Sequence, residues 1–329
     1  MSWTSVAFFF RVVKIRLIPY ACPVGIVLNG LLLYLIVNKP IIQEYKKVFL
    51  LTCVCDIASC VNGLFFMVTL VVQNERYYAI IEGVLGHLSP AWTLVGYGSM
   101  LFFLYSGATN NTVVFMYRYF SVCRNTVLST MAFLLITLVG WLIVFVYCGA
   151  IVFVYIHEPD DPYAYIGLNG TEFPSDGSFT DFISNSIPPI IPVAFFGGIP
   201  IATISYMIII GTSIAVYRKF NKLKELMSPE QRKFHSEVTI VLSMEALTPF
   251  LTVALPVYVD ISKLVFPDLP SQWFAELSWI LTLIGPSMTA IIKLVSIKIF
   301  REAVTQAFCG LCSVNGSKTR VVAISGNNA

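Results

Sequence analysis

The sequence has little charge, which sets it apart from soluble proteins. Only 12% of its 329 residues are Asp, Glu, Lys or Arg, whereas an ordinary soluble domain has about 25%. Hydrophobic residues make up 57% of the chain, and the mean hydropathy is +0.79. This composition excludes a soluble globular protein. The net charge of +3 is too small to indicate nucleic-acid binding.

Cysteine and histidine do not form the patterns that carry chemistry. None of the eight cysteines lies in a loop predicted to be outside the cell, so we expect no extracellular disulfide. His87, His157 and His235 are far apart in the sequence, which argues against a zinc-dependent membrane hydrolase. The sequence has neither a glycine-rich nucleotide loop nor a paired Ser/His arrangement. We therefore expect no enzyme activity, no cofactor and no metal.

Long apolar stretches are what the sequence has in excess. Each of seven stretches meets or exceeds the roughly 20 residues that a helix needs to cross the bilayer. Backbone amides in lipid must be bonded internally, so we predict a helix in each. We call them segments one to seven: 17–37, 48–72, 93–116, 127–156, 187–217, 238–259 and 277–296. The predicted fold class is an all-α membrane protein, a seven-helix bundle followed by a short amphipathic helix.

The basic residues sort to one side of the predicted bundle. Most of the 21 Lys and Arg residues lie after segments one, three, five and seven. Because cytosolic loops collect Lys and Arg, we predict an extracellular N-terminus and a cytosolic C-terminus. Arg11, Lys14 and Arg16, just before segment one, oppose this count. The loop 157–182 contains acidic residues and no Lys or Arg, and its Asn169 begins an Asn-Gly-Thr sequon, so Asn169 is a candidate for glycosylation.

The chain is predicted to have four parts. They are an extracellular N-terminus (1–16), the bundle (17–296), a juxtamembrane amphipathic helix (297–312) and a disordered cytosolic tail (313–329). In the juxtamembrane helix, Phe300, Val304 and Phe308 recur at about one turn, opposite charged residues. Cys309 and Cys312 at its end are candidates for palmitoylation, with unmodified thiols as the alternative.

Polar side chains inside the apolar segments are costly in lipid and often mark function. Several of them fall at one depth, roughly 10–14 Å from the cytosolic boundary at about 1.5 Å per residue. They are Asn29, Asp56, Asn110, Asn111 and Glu245. One hypothesis is a buried polar layer that couples helix movements, and the other is simple hydrogen bonding between helices. Prolines in segments five to seven predict kinks that either let the bundle open or only shape it.

Five short motifs follow one another along the chain. They are Asn29-Gly30-Leu31-Leu32-Leu33-Tyr34-Leu35-Ile36, Tyr45-Lys46-Lys47 with Leu50-Leu51 and Asp56, Tyr117-Arg118-Tyr119-Phe120, Glu245-Ala246-Leu247-Thr248-Pro249 with Pro256, and Ile299-Phe300-Arg301-Glu302-Ala303. In this order they resemble the nematode serpentine chemoreceptors of the seven-transmembrane G-protein-coupled receptor superfamily, the Str-type group and its class d members. Glu245 departs from the Gln of that family, and Tyr117 from the acid of rhodopsin-like receptors.

The resemblance implies a chemosensory, olfactory receptor that binds a small odorant-like ligand from outside and activates a heterotrimeric G protein. It implies a plasma-membrane location in the cilia of sensory neurons, with membrane lipid and no nucleic acid as a partner. Outer-half residues are candidates for ligand contact, although such residues more often face lipid or the core: Tyr97, Met100, Leu101, Phe195, Phe196 and Trp279. Candidates for G-protein coupling are Arg118, Arg218, Lys219, Arg232 and Lys233, where a basic loop required only by topology is the alternative.

A seven-helix ligand-gated channel or transporter is the alternative function. Insect-type receptor channels would have the N-terminus inside, which the loop charges oppose, and no internal repeat indicates a transporter. A retinal-binding opsin is excluded, since Lys293 lies seven residues after Pro286, near the cytosolic end of segment seven.

Overall fold

Long helices occupy most of the chain. The computed structural model describes residues 3–38, 43–73, 76–85, 90–157, 182–223, 232, 239, 243–244, 247–248, 250–255, 257–259, 262, 266, 272–297 and 300–305. The long helices among these residues are Trp3–Asn38, Gln43–Phe66, Pro90–Cys123, Thr130–His157, Ile199–Leu223 and Gln272–Ser296, which belong to segments one, two, three, four, five and seven. Within the described residues, five helical stretches, of segments one, two, four, five and seven, are long and apolar enough to cross a membrane.

Segments five and six contain π-helical turns between their prolines. Segment five is formed by Ile187–Val193, the π turn Ala194–Gly198 and the helix Ile199–Leu223. In segment six the described residues include the π turn Phe250–Ala254, which follows Pro249 in the sequence. A proline cannot donate the backbone hydrogen bond of a regular helix, and π turns often accommodate such interruptions near functional sites.

The predicted end of segment two is wrong. The helix ends at Phe66, and Met67 has a positive φ of 26°, so the chain turns back there instead of continuing to residue 72. Val68–Gln73 is a strand (β1) that pairs antiparallel with Arg76–Ile81 (β2). An apolar run rich in β-branched residues suits a buried strand as well as a helix, and the sequence alone does not distinguish them.

A third strand completes a small sheet at one end of the bundle. Phe182–Ser186 (β3) pairs antiparallel with β2, in register Arg76 with Ser186 and Ile80 with Phe182. Most of β1 and β2 is buried, including Tyr78 and Ile81. Following the predicted orientation, we call the end that holds the sheet the outer end. The opposite end, which holds Arg118, is the inner end.

Two large apolar clusters fill the bundle. The outer cluster includes the sheet residues Leu70 and Tyr77 and, on segment three, buried residues as far as Ala108. The inner cluster resumes on segment three at Val113 and extends to Phe300 and Ala303 beyond segment seven. Phe300 packs edge-on against the ring of Phe49 at 5.9 Å, so the described part of the juxtamembrane helix is held against segment two. A level without large apolar residues separates the two clusters on segment three.

A buried charge cluster joins segment one to the sheet and to segment seven. The first helix begins at Trp3, well before the predicted start of the segment, and carries Lys14 into the interior, where its side chain is fully buried. The Lys14 ammonium lies 2.8 Å from a Glu276 carboxylate oxygen and 3.4 Å from one of Glu82, and it also donates to the Thr69 hydroxyl. Arg11 donates to Glu82 at 2.5 Å.

These pairings explain why two of the three N-terminal basic residues, Arg11 and Lys14, oppose the charge count. Arg11 and Lys14 are balanced by carboxylates inside the protein, so they are not free loop charges of the kind that orient a chain. Burial raises the pKa of Glu82, but the charges of Lys14 and Arg11 and the hydrogen bonds from Thr69 and Arg11 outweigh it. The net result is a pKa below the ordinary value, so Glu82 is ionised at neutral pH.

Removing the central cation should destabilise the fold. In Lys14→Ala, the buried carboxylate of Glu276 loses its described cation, and breaking a buried pair in this way costs about 3–5 kcal/mol. We expect a clearly lower thermal unfolding temperature for the purified protein in detergent. Arg16→Ala is the matched control, because Arg16 lies on the same helix and is exposed. Equal unfolding temperatures for the two variants would contradict a stabilising role for the cluster.

Candidate functional site

A cavity of about 120 Å³ lies between the two apolar clusters, and we call it the polar cavity. Residues of segments two, three, six and seven line it. Its polar residues include Thr52, Asp56, Asn110, Asn111, Thr289 and Lys293. The structure therefore brings three residues of the predicted polar layer, Asp56, Asn110 and Asn111, to a single cavity. Their role in coupling helix movements stays a prediction.

Two hydrogen bonds across the polar cavity connect segments two and seven. Thr289 donates its hydroxyl to the Asp56 carboxylate at 2.9 Å, and the Lys293 ammonium donates to the Thr52 hydroxyl at 2.9 Å. Lys293 is only 1% exposed. Sequence reasoning did not include Lys293 in the polar layer. Its spacing of four residues from Thr289, which places the two on one helix face, was the available signal.

Asn29 lies beside the polar cavity, where it connects segments one and seven. Its amide nitrogen donates to the carbonyl of Pro286, a lining residue of the cavity, at 3.1 Å, and to the carbonyl of Gly25 at 3.0 Å. Glu245, the fifth predicted member of the layer, lies outside the described residues. Among the residues that the structure describes, no group of His, Cys, Asp and Glu has the arrangement of a metal site.

The two adjacent asparagines of segment three bond differently. Asn110 donates to the Cys55 sulfur at 3.3 Å and accepts from the Trp141 indole at 2.8 Å, so it connects segments two, three and four. The amide of Asn111 donates to the carbonyl of Gly107 within its own helix, at 2.9 Å. Interhelical hydrogen bonding therefore accounts for Asn110 better than for Asn111.

A second, smaller cavity of about 50 Å³ lies toward the outer end, and we call it the tyrosine cavity. Its lining includes Tyr77 of β2, Tyr97 and Tyr105 of segment three, and Tyr147 of segment four. The rings of Tyr105 and Tyr147 meet edge-on at 4.9 Å, and their hydroxyls are 3.4 Å apart. None of its described lining residues is charged, so the cavity suits an uncharged molecule.

Trp279 of segment seven separates the two cavities. It lines both of them, as does Leu104 of segment three, and its side chain is 2% exposed. The indole nitrogen of Trp279 has no hydrogen-bond partner among the described residues. A buried donor without a partner is costly, so this position favours a bound acceptor.

The predicted ligand residues divide between the interior and the surface. Tyr97, Leu101 and Trp279 line the tyrosine cavity, and Met100 lines the polar cavity. Phe195 and Phe196 line neither cavity and are exposed, and Phe196 lines a groove on the outside of the bundle. Sequence reasoning missed Tyr77, Tyr105 and Tyr147. Tyr77 was not detectable as a lining residue because β2 was not predicted.

Arg118 connects three segments at the inner end. Its guanidinium donates to the Thr239 hydroxyl of segment six at 2.9 Å and lies over the Phe220 ring of segment five at 5.6 Å. It lies five residues before the end of the third helix, which continues to Cys123, and it is only 4% exposed. The preceding Tyr117 packs edge-on against Phe133 and lies under the Lys47 ammonium, 4.7 Å from its ring centre.

The other predicted sites are placed as follows. Arg218 and Arg232 are exposed and Lys219 is half-buried at the inner end. The predicted sites outside the described residues are Lys233, Asn169, Cys309 and Cys312.

The two asparagines provide a matched test of the polar cavity. Asn110→Ala removes bonds to two other helices, and a transmembrane hydrogen bond contributes about 0.6–2 kcal/mol. We expect it to lower the thermal unfolding temperature in detergent more than Asn111→Ala does, because Asn111 bonds within its own helix. An equal or larger loss in Asn111→Ala would contradict this description of the cavity.

Comparison with known proteins agrees with this geometry. A solved structure of squid rhodopsin superposes with a TM-score of 0.54, covering 99% of this chain and 92% of that one at 14% identity. At this identity the likeness shows the fold alone, and it confirms the predicted seven-helix class. A search of curated protein sequences finds no match. The family described as "Serpentine type 7TM GPCR chemoreceptor Srd" matches residues 16–306. The chain therefore belongs to the Srd family of serpentine seven-transmembrane chemoreceptors, which are receptors and not enzymes.

Proposed function

We propose that this chemoreceptor binds a small, odorant-like molecule in the tyrosine cavity and activates a heterotrimeric G protein at its inner end. The observation that supports this most is the position of Trp279 as a wall of both cavities. A ligand that bonds to or displaces this indole changes the packing of the polar cavity beneath it. Segment seven carries Trp279, Thr289 and Lys293, so one helix reaches both cavities.

The polar cavity would pass this change on toward the inner end. Asp56 and Thr52 hold segment seven through Thr289 and Lys293. A rotation or shift of segment seven exchanges these partners for others in the same cavity. Buried polar groups need some partner, so such a network favours discrete arrangements over continuous ones. This is the coupling role proposed for the polar layer.

At the inner end, Arg118 would hold the inactive arrangement. Its bond to Thr239 and its contact with Phe220 draw segments five and six against segment three. Breaking these contacts opens a groove that a helix of the G protein can enter. In the sequence, four basic residues lie between segments five and six, next to this groove, and provide positive charge for an acidic partner surface. They are Arg218, Lys219, Arg232 and Lys233.

The orientation and location follow from the same proposal. The receptor lies in the plasma membrane of sensory cilia with its N-terminus outside, Asn169 glycosylated, and Cys309 and Cys312 palmitoylated. Epitope tags on the two termini of the expressed receptor should then be accessible from opposite sides of the membrane. Tags in the same compartment would contradict the proposed topology.

Removing the hydrogen bond between Arg118 and Thr239 should raise the receptor's basal activity, which is measured in the absence of ligand. Thr239→Val keeps the side-chain shape but removes the hydroxyl that accepts from Arg118. A hydrogen bond to a charged group contributes about 1.5–3 kcal/mol, so we expect basal nucleotide exchange on the G protein to rise roughly tenfold. Ser243→Ala is the matched control, since Ser243 bonds only to the Thr239 carbonyl of its own segment in the described contacts. Unchanged basal exchange in Thr239→Val would contradict this role for Arg118.

A ligand screen tests the function itself. The receptor in membranes is supplied with purified G protein and a panel of volatile and water-soluble compounds, and nucleotide exchange is measured. We expect at least one uncharged compound to stimulate exchange, and Asp56→Asn to reduce that response while the protein still folds. Full retention of the response in Asp56→Asn would argue against the coupling role of the polar cavity. A ligand-evoked current without any G protein would favour the alternative, a channel.

A further inference from the structure

The sheet closes the outer side of the tyrosine cavity. Leu70 of β1 and Tyr77 of β2 are both buried, and both contribute to the lining. The charge cluster around Lys14 holds this region to segment seven through Thr69 of β1 and through Glu276. Among the described residues, a ligand arriving from the aqueous side would have to displace the paired strands. That displacement would break ladder hydrogen bonds and buried ion pairs.

A groove on the side of the bundle offers another approach. It has a volume of about 660 Å³, lies between segments four and five, and has no charged residue in its described lining. Val146 and Phe196 expose apolar surface in it, on the outside of the bundle. We call it the lateral groove. In a membrane-spanning bundle, such a surface faces hydrocarbon, so molecules dissolved in the bilayer reach the groove directly.

Tyr147 lies between the lateral groove and the tyrosine cavity. It is the one described residue that lines both. Its ring packs on the π turn Ala194–Gly198 so closely that a side chain on Gly197 would overlap it, and a Cβ on Gly198 would come within 2.8 Å of its hydroxyl. Its hydroxyl has a long 3.4 Å contact to Tyr105, which is a weak hydrogen bond. A rotation of one ring would therefore join groove and cavity.

The polar groups of the tyrosine cavity indicate what chemistry it takes. They are tyrosine hydroxyls, which can donate or accept. Trp279, which lines this cavity and the polar cavity, adds an indole N–H that can only donate and has no described partner. With no charged lining residue, the cavity does not compensate the desolvation of an ionised ligand. A ligand with an apolar body and one acceptor oxygen, such as a ketone, ester or ether, satisfies both conditions.

We propose that the tyrosine cavity takes an uncharged, membrane-soluble molecule with a carbonyl or ether oxygen, which arrives from the bilayer through the lateral groove, past Tyr147. This inference rests on the proposed receptor function, and it adds the ligand class and the route. The glycines of the π turn then provide the space in which the Tyr147 ring moves. A ligand of this kind is concentrated by the membrane before it binds.

Photolabelling tests the route. The purified receptor in lipid nanodiscs is irradiated with a short-chain aliphatic ketone that carries a diazirine, and labelled residues are mapped by mass spectrometry. Two matched probes are an alkane diazirine of the same length and the corresponding carboxylate. We expect the ketone to label cavity residues such as Tyr105 and Ile151, the alkane to label mainly the groove around Phe196, and the carboxylate to label neither.

Two glycines of segment five provide matched variants. In Gly197→Ala the new methyl group overlaps the Tyr147 ring and restricts it, and overpacking of this kind should lower cavity labelling roughly tenfold while groove labelling persists. Gly211→Ala is the control, because nothing lies within 4 Å of a Cβ at that position. Trp279→Phe should reduce cavity labelling by the ketone but not the small signal of the alkane.

Distinct results separate the inference from the proposed function. Equal cavity labelling in Gly197→Ala and Gly211→Ala, or cavity labelling by the carboxylate, would overturn the lateral route or the ligand class. Both outcomes are independent of the G protein. If labelling follows the expected pattern while no compound stimulates nucleotide exchange, the binding site stands and the coupling to a G protein fails. If compounds stimulate exchange but labelling is unaffected by Gly197→Ala, the coupling stands and the route fails.

Discussion

A polar group inside hydrocarbon must find its partner within the protein, and this constraint determines how the helices of this receptor are arranged. Asp56 bonds to Thr289, and Asn110 bonds to Trp141 and Cys55. Each of these bonds specifies which helices are neighbours and at what level along their axes they meet. Apolar packing cannot specify this by itself, because lipid is as apolar as leucine. The same bonds create the polar cavity, because side chains that face one another at one level leave space that apolar residues do not fill.

The outer end follows the same constraint with a cluster of buried ion pairs. The ammonium of Lys14 lies between the carboxylates of Glu82 and Glu276, and it holds a strand, a loop and two helices together. A buried ion pair adds less to stability than its Coulomb energy suggests, but it permits few alternative arrangements. The sheet is thereby held over the tyrosine cavity. Because the sheet closes the cavity on the aqueous side, we propose the lateral groove and Tyr147 as the route by which a ligand enters.

The sequence differs from rhodopsin-like receptors at the inner end, next to Arg118. Tyr117 takes the place of the acid before Arg118, and its ring packs edge-on against that of Phe133. Arg118 bonds to a neutral hydroxyl on Thr239. A neutral acceptor holds a guanidinium less strongly than a carboxylate does. At 14% identity, the likeness to squid rhodopsin shows the arrangement of the helices alone.

The membrane class and the number of segments were predictable from the sequence, because both depend on local composition and on the length of hydrocarbon to be crossed. Asn29, Asp56 and the two asparagines of segment three could be assigned to one level by counting residues. The sheet, the pairing of Lys14 and the contribution of Lys293 could not. An apolar run can bury itself as helix or strand, and a charged side chain can be balanced by any carboxylate that folding brings near it. Only the tertiary structure decided those partners, since they come from parts of the chain that are far apart in sequence.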